Sequence, residues 1–151
     1  MSILRYKKQG GFEKLVNSLE LTSPDKRKKI METLATEDPV FMDRVEKSIL
    51  SFNELKSQPI EILMEIVYLL GSMQYVALAL YKLEDQEFAE KIKKCIPQKQ
   101  MLEYKDALDA LAKVTQGQRE GAQFKFVEVA RKLQAEKGIK IKSYLVDENN
   151  N

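Results

Sequence analysis

Residues 60–80 read Ile-Glu-Ile-Leu-Met-Glu-Ile-Val-Tyr-Leu-Leu-Gly-Ser-Met-Gln-Tyr-Val-Ala-Leu-Ala-Leu. Only Glu61 and Glu65 are charged, and on a helix two residues four apart share one narrow face. The rest of the circumference is apolar, which predicts a helix buried nearly all round. Gly71-Ser72 interrupts the run, and Ser72 is suited to N-cap a second helix ending in Val76-Ala-Leu-Ala-Leu80. Neither half offers about 18 uncharged apolar residues in a row, so a membrane hairpin is the weaker reading. Two core helices follow, and amphipathic helices on either side must cover them.

Those neighbours are visible on both flanks. Phe12, Leu15, Val16 and Leu19 fall on one face of a short helix. Ser23-Pro24 and Asp38-Pro39 are each an N-cap followed by proline at the first helical position. The first predicts a helix to about residue 35, with Ile30 and Leu34 inward and the basic run at residues 26–29 solvated. The second predicts one to about residue 49, with Met42, Val45 and Ile49 inward. Downstream, Phe88, Ile92 and Cys95 stay in step. Pro97 opens a helix to about residue 114 with Met101, Tyr104, Leu108 and Leu111 inward. A last long helix is expected over residues 118–137, with Gly138 as its stop. No strand pair is found, so the expected class is all-α: a short armadillo-like helical stack joined by a flexible hydrophobic linker to a helical bundle.

The expected boundaries are a basic flank and Gly-Gly hinge at 1–11, a three-helix stack at 12–49 and a linker at 50–56. A C-terminal helical domain at 57–141 and a flexible tail at 142–151 complete them. Gly10 and Gly11 permit unusual backbone angles and read as one hinge. Ile49, Leu50, Ser51 and Phe52 read as a second. Three short helices supply little core, so Phe12, Leu15, Leu19, Ile30 and Leu34 are expected to stack on a neighbour.

Composition narrows the chemistry. The 151 residues carry a net charge of +2, too near neutral to imply nucleic acid. Histidine is absent, so Ser-His and Cys-His nucleophilic pairs are excluded and the usual zinc sites lose a ligand type. The single cysteine, Cys95, cannot form an internal disulfide and continues an apolar face. No phosphate loop, metal-ligand cluster or secretory h-region is found. The residues point to a cytoplasmic helical interaction module, with no catalytic residues, metal or cofactor and no membrane insertion.

Several pieces, in order and spacing, resemble the C-terminal part of the FliG family of flagellar rotor switch proteins. They are Gly10-Gly11, Asp38-Pro39, the joint at residues 49–52 and Phe52-Asn-Glu-Leu55. Ala77-Leu-Ala-Leu80, Glu120-X-Ala122-Gln123, Ala130-Arg131-Lys132-Leu133 and Gly138 continue the series over about residues 10–141. The family's middle-domain signature Glu-His-Pro-Gln-Arg does not occur here, which leaves a fragment or a stand-alone paralogue open. The resemblance implies an armadillo-like stack, a flexible joint and a six-helix unit. It implies protein partners: a FliG middle domain, FliM and a MotA-like stator, with self-association or domain swapping as a further option.

The resemblance places the family's charged, torque-transmitting helix on residues 97–114. Lys82, Lys99 and Asp106 match its charges, with Glu103 and Asp109 as helpers. Ala107 and Thr115 stand where the family has a second acid and a basic residue. Three readings therefore stay open: a rotor or switch module, an adaptor derived from it that does not engage the stator, and an unrelated helical scaffold. The location implied is cytoplasmic, peripheral at the flagellar basal body.

Overall fold

The computed structural model describes residues 3–146, so residues 147–151 of the tail expected at 142–151 lie outside the described residues. All of the regular secondary structure is helical, with no strand among the described residues, and the all-α expectation holds. The chain divides into two units. Unit 1 runs to Leu50 and resumes at Lys142; unit 2 is Ser51–Ile141.

Unit 1 comprises a 3-10 turn, Ile3–Lys7, and three helices: α1 (Gly11–Glu20), α2 (Pro24–Ala35) and α3 (Pro39–Ser48). The Asp38-Pro39 signal works as read. The Asp38 carboxyl group accepts from the Phe41 N–H at 3.1 Å and also pairs with Lys7. The Lys7 hydrogen bond first, and that N–H second, hold its pKa below the ordinary carboxylate value. Within the basic run, Arg27 is half-buried and donates to the carbonyls of Leu19 at 2.8 Å and Thr22 at 3.1 Å. It thereby ties the first turn of α2 to the C-terminal end of α1 and the turn that follows.

The core of unit 1 is Ile3, Phe12, Leu15, Val16, Leu19, Leu34, Phe41, Met42, Val45 and Ile49. Phe12 and Phe41 meet edge to face at 5.6 Å. Four of the five residues expected to stack on a neighbour, Phe12, Leu15, Leu19 and Leu34, are therefore consumed inside unit 1, and Ile30 packs half-buried against the same core. Counting three helices missed the remaining cover. Ile3 and Tyr6 supply part of it from the N-terminal turn, and Tyr144 and Val146 supply part from the far end of the chain.

The two glycines serve different ends: Gly10 takes a left-handed backbone and Gly11 makes a close approach. Gly10 has φ +79°, and a Cβ added to Gly11 would lie 2.7 Å from the Tyr6 carbonyl oxygen. No side-chain rotation relieves a clash with backbone, so the N-terminal turn itself would have to move. Gly11→Ala should cost unit 1 about 2 kcal/mol, within the usual range for overpacking. Gly10→Ala should cost about 1 kcal/mol for its left-handed backbone. Urea unfolding checks the order; a neutral Gly11→Ala would mean that the turn is free to shift, as a hinge requires.

Unit 2 begins with a 3-10 turn, Phe52–Ser57. Five α-helices follow: α4 (Ile60–Leu70), α5 (Met73–Leu80), α6 (Gln86–Lys93), α7 (Met101–Asp109) and α8 (Gln116–Lys137). A second 3-10 turn, Gln98–Gln100, precedes α7. The resemblance implied six helices; the described residues form five and two 3-10 turns. Helix α5 packs against both α7 and α8, and Met73, Val76, Ala77 and Ala79 on it have no exposed surface. Ser72 caps α5 through Gln74 N–H at 3.2 Å, as its position suggested.

Three expectations are corrected here. Helix α4 buries Leu63, Ile66 and Val67 but leaves Ile60, Met64, Tyr68 and Leu69 exposed, because α5, α6 and α8 cover one side of it. Helix α7 ends at Asp109 and fully buries only Tyr104, with Leu108 exposed. Residues 50–56 are not a free linker. Ser51 and Glu54 form a capping box, and Phe52 and Leu55 are buried. The Phe52 ring lies 5.1 Å from both Phe88 and Phe126.

Candidate interaction surface

Helix α7 and the turn before it hold four of the five charges singled out from the sequence. Tyr104 anchors the helix inward, and burial pushes its phenol pKa up. At 3.6 residues per turn, Leu102, Asp106 and Asp109 then lie on the side away from Tyr104. Glu103 adjoins Asp106 on the surface, and Lys99 leads into the helix from the 3-10 turn. All of these are exposed. Leu102, at 71% exposure, puts an apolar side chain in the middle of the charged row.

Lys82 sits in the turn after α5. Its φ of +51° is the left-handed region, which costs a residue with a Cβ about 1 kcal/mol. Helix α8 holds the turn there. Arg119 donates to the Lys82 carbonyl at 3.4 Å, and Gln123 donates to the Ala79 carbonyl at 3.1 Å. The surrounding contacts hold this backbone conformation, and no local sequence signal marks it.

Among the described residues, none of Lys82, Lys99, Glu103, Asp106 and Asp109 forms an ion pair. Charges elsewhere in unit 2 do pair. Lys56 meets Asp85 at 3.1 Å and Glu87 at 3.3 Å, and Lys137 meets Glu65 at 2.8 Å. Asp85 is held below the ordinary carboxylate value, first by the Phe88 N–H and then by Lys56. Lys137 is raised by its hydrogen bond to Glu65. The α7 row is thus a set of available charges of both signs.

Of the two departures from the resemblance, Thr115 has a structural role. Ala107 is half-buried. Thr115 is the N-cap of α8, accepting from Gln118 N–H at 3.1 Å while its own N–H donates to Gln118 at 2.9 Å. Cys95 is buried, its thiol donating to the Lys91 carbonyl at 3.3 Å, and burial pushes its pKa up, away from the reactive thiolate. Among the described residues no group of His, Cys, Asp and Glu is placed to hold a metal ion, and no helix is long and apolar enough to cross a membrane.

The remaining candidates fall into the packing of their own units. Gly11 lies against the backbone of the N-terminal turn, and Gly10 supplies the left-handed residue before it. Ile49 belongs to the core of unit 1, and the Leu50 N–H donates to Glu20 at 2.7 Å. Ser51 and Phe52 open unit 2. A family model described as FliG C-terminal domain matches residues 32–141. No curated protein sequence matches the chain.

Proposed function

The chain belongs to the FliG C-terminal domain family, and from that premise we propose that it is a protein–protein interaction module of the flagellar motor switch, with α7 as its contact helix. The observation that carries the assignment to α7 is the row of exposed charges without ion pairs on it and on the turn before it, Lys99, Glu103, Asp106 and Asp109. A surface of that kind suits a partner carrying charges of both signs, such as a MotA-like stator loop. FliM and a FliG middle domain are the other partners of this reading, and its place is the cytoplasmic face of the basal body.

With Phe12, Leu15, Leu19 and Leu34 occupied internally, the place for a middle-domain contact on unit 1 becomes the groove between α2 and α3. It encloses about 430 Å³, and Met31, Ala35 and Met42 line it among Arg27, Glu32 and Asp43.

Exposed charge pairs are worth roughly 0–1 kcal/mol each and are screened over about 8 Å in physiological salt. Single changes on α7 should therefore be mild. Reversing Lys99 and Asp106 together, in the organism and with expression and folding checked, should markedly reduce motility or switching. A compensating reversal in the stator loop should restore it. Normal motility in the double variant would remove α7 as a torque surface. The adaptor reading would then stand, favoured by Ala107 and by the capping role of Thr115.

A further inference from the structure

Residues 142–146 belong to unit 1, although they follow the last helix of unit 2 in the chain. Lys142, Tyr144 and Val146 are half-buried, while Ser143 and Leu145 are exposed, the alternation of an extended segment. The segment forms no helix and pairs with no strand among the described residues. Unit 1 holds it at defined positions. The Lys142 ammonium donates to the Ile49 carbonyl at 2.5 Å, at the C-terminal cap of α3, where a cation is favoured. The Leu145 N–H donates to the Ser48 hydroxyl at 2.8 Å. The Tyr144 hydroxyl donates to the Asn17 side-chain oxygen at 2.7 Å.

The receiving side is built for this. Ser48 is fully buried, and its hydroxyl donates to the Arg44 carbonyl at 2.8 Å, so its lone pairs point to the incoming N–H. Asn17, Ser48 and Ile49 thus present three acceptors to three donors of the segment. Tyr144 and Val146 lie against the apolar core of unit 1 beside them. An extended segment read by backbone and side-chain hydrogen bonds, with alternate side chains pocketed, is how folded domains bind peptides.

We propose that residues 142–146 are an exchangeable latch on a peptide-binding surface of unit 1. In the closed state the chain fills that surface itself. Released, the surface accepts an extended segment of the same chemistry: a basic residue, a tyrosine two positions on and a β-branched residue two further. A segment tethered to its site competes at an effective concentration in the millimolar range, so an outside segment must be abundant or tethered nearby to displace it.

The test uses the full chain and hydrogen exchange. In Tyr144→Ala, amides of α1 and α3 should exchange about tenfold faster or more, since a hydrogen bond and an aromatic contact are lost, while α5 and α8 stay unchanged. A synthetic peptide with the sequence of residues 139–146, added at millimolar concentration, should restore protection saturably. The same peptide with alanine at the tyrosine position should not. Unchanged exchange in α1 and α3, equal acceleration in both units, or no rescue by the peptide would each overturn the proposal. Should Tyr144→Ala fail to fold, Tyr144→Phe removes only the hydroxyl. Selective acceleration in unit 1 would then support the latch, and no change would overturn it.

Discussion

Replacing Phe52 by alanine is expected to destabilise unit 2 by about 3–5 kcal/mol, the usual range for emptying a buried aromatic site. Phe52 is 6% exposed, and its ring lies 5.1 Å from Phe88 and Phe126, edge-on to the latter at 81°. Such pairs contribute about 0.5–1.5 kcal/mol beyond the area they bury. The turn that carries Phe52 is held by the Ser51–Glu54 capping box, so the site cannot readily collapse onto the gap. Phe52→Leu keeps most of the volume and should cost about 1–1.5 kcal/mol. Urea unfolding, with exchange resolved for α6 and α8, separates the two ideas about this stretch. If residues 50–56 only connected the units, Phe52→Ala would cost under about 1 kcal/mol, as substitutions away from packed sites do. A loss of several kcal/mol confined to unit 2 assigns Phe52 to its core.

The fold is most legible in the sequence where the signal is local. The apolar period of residues 60–80, the two cap-proline starts and the Ser72 cap are each contained within a few residues, and the structure has α4, α5, α2 and α3 there. It is least legible where a residue's role depends on what lies beside it in space. Nothing near Tyr68 in the chain says that α5, α6 and α8 cover only the other side of α4, leaving Tyr68 69% exposed. Nothing near Tyr144 says that its partner is Asn17, 127 positions away. Phe52 could have been recognised, because Ser51-X-X-Glu54 is a capping box and marks the start of an element.

The charged candidates divide the same way. Lys99, Glu103 and Asp106 are legible as the side opposite the apolar period that holds Tyr104, whereas Asp109 and Lys82 follow only from the family resemblance. That α7 stops at Asp109 is not legible, since residues 101–114 keep an apolar period throughout. The competing signal is the cap at Thr115, whose backbone at φ −87° and ψ 160° is extended and cannot continue a helix. Likewise, the missing basic residue at Thr115 read as a simple loss. The structure shows the position occupied by the group that starts α8.

Glu20→Ala should be the most damaging change in unit 1, costing about 3 kcal/mol through an orphaned donor and the space left behind. Glu20 closes α1 on the same face as Val16, four positions earlier, and is only 2% exposed. Its carboxyl oxygen accepts from the Leu50 N–H at 2.7 Å, and Leu50 is itself 2% exposed. Without that oxygen the N–H is left in a dry site with nothing to meet it. Glu20→Gln keeps the volume and an acceptor, giving up only the stronger acceptor, and should cost about 1 kcal/mol. Two measurements check this: the order of the variants in urea unfolding, and the exchange of the Leu50 amide. That amide should exchange at least about tenfold faster in Glu20→Ala and far less so in Glu20→Gln. Equal, small effects in both variants would mean that the end of unit 1 is not held by this contact. A large effect in both would point to the charge of Glu20, rather than its acceptor oxygen, as what the site requires.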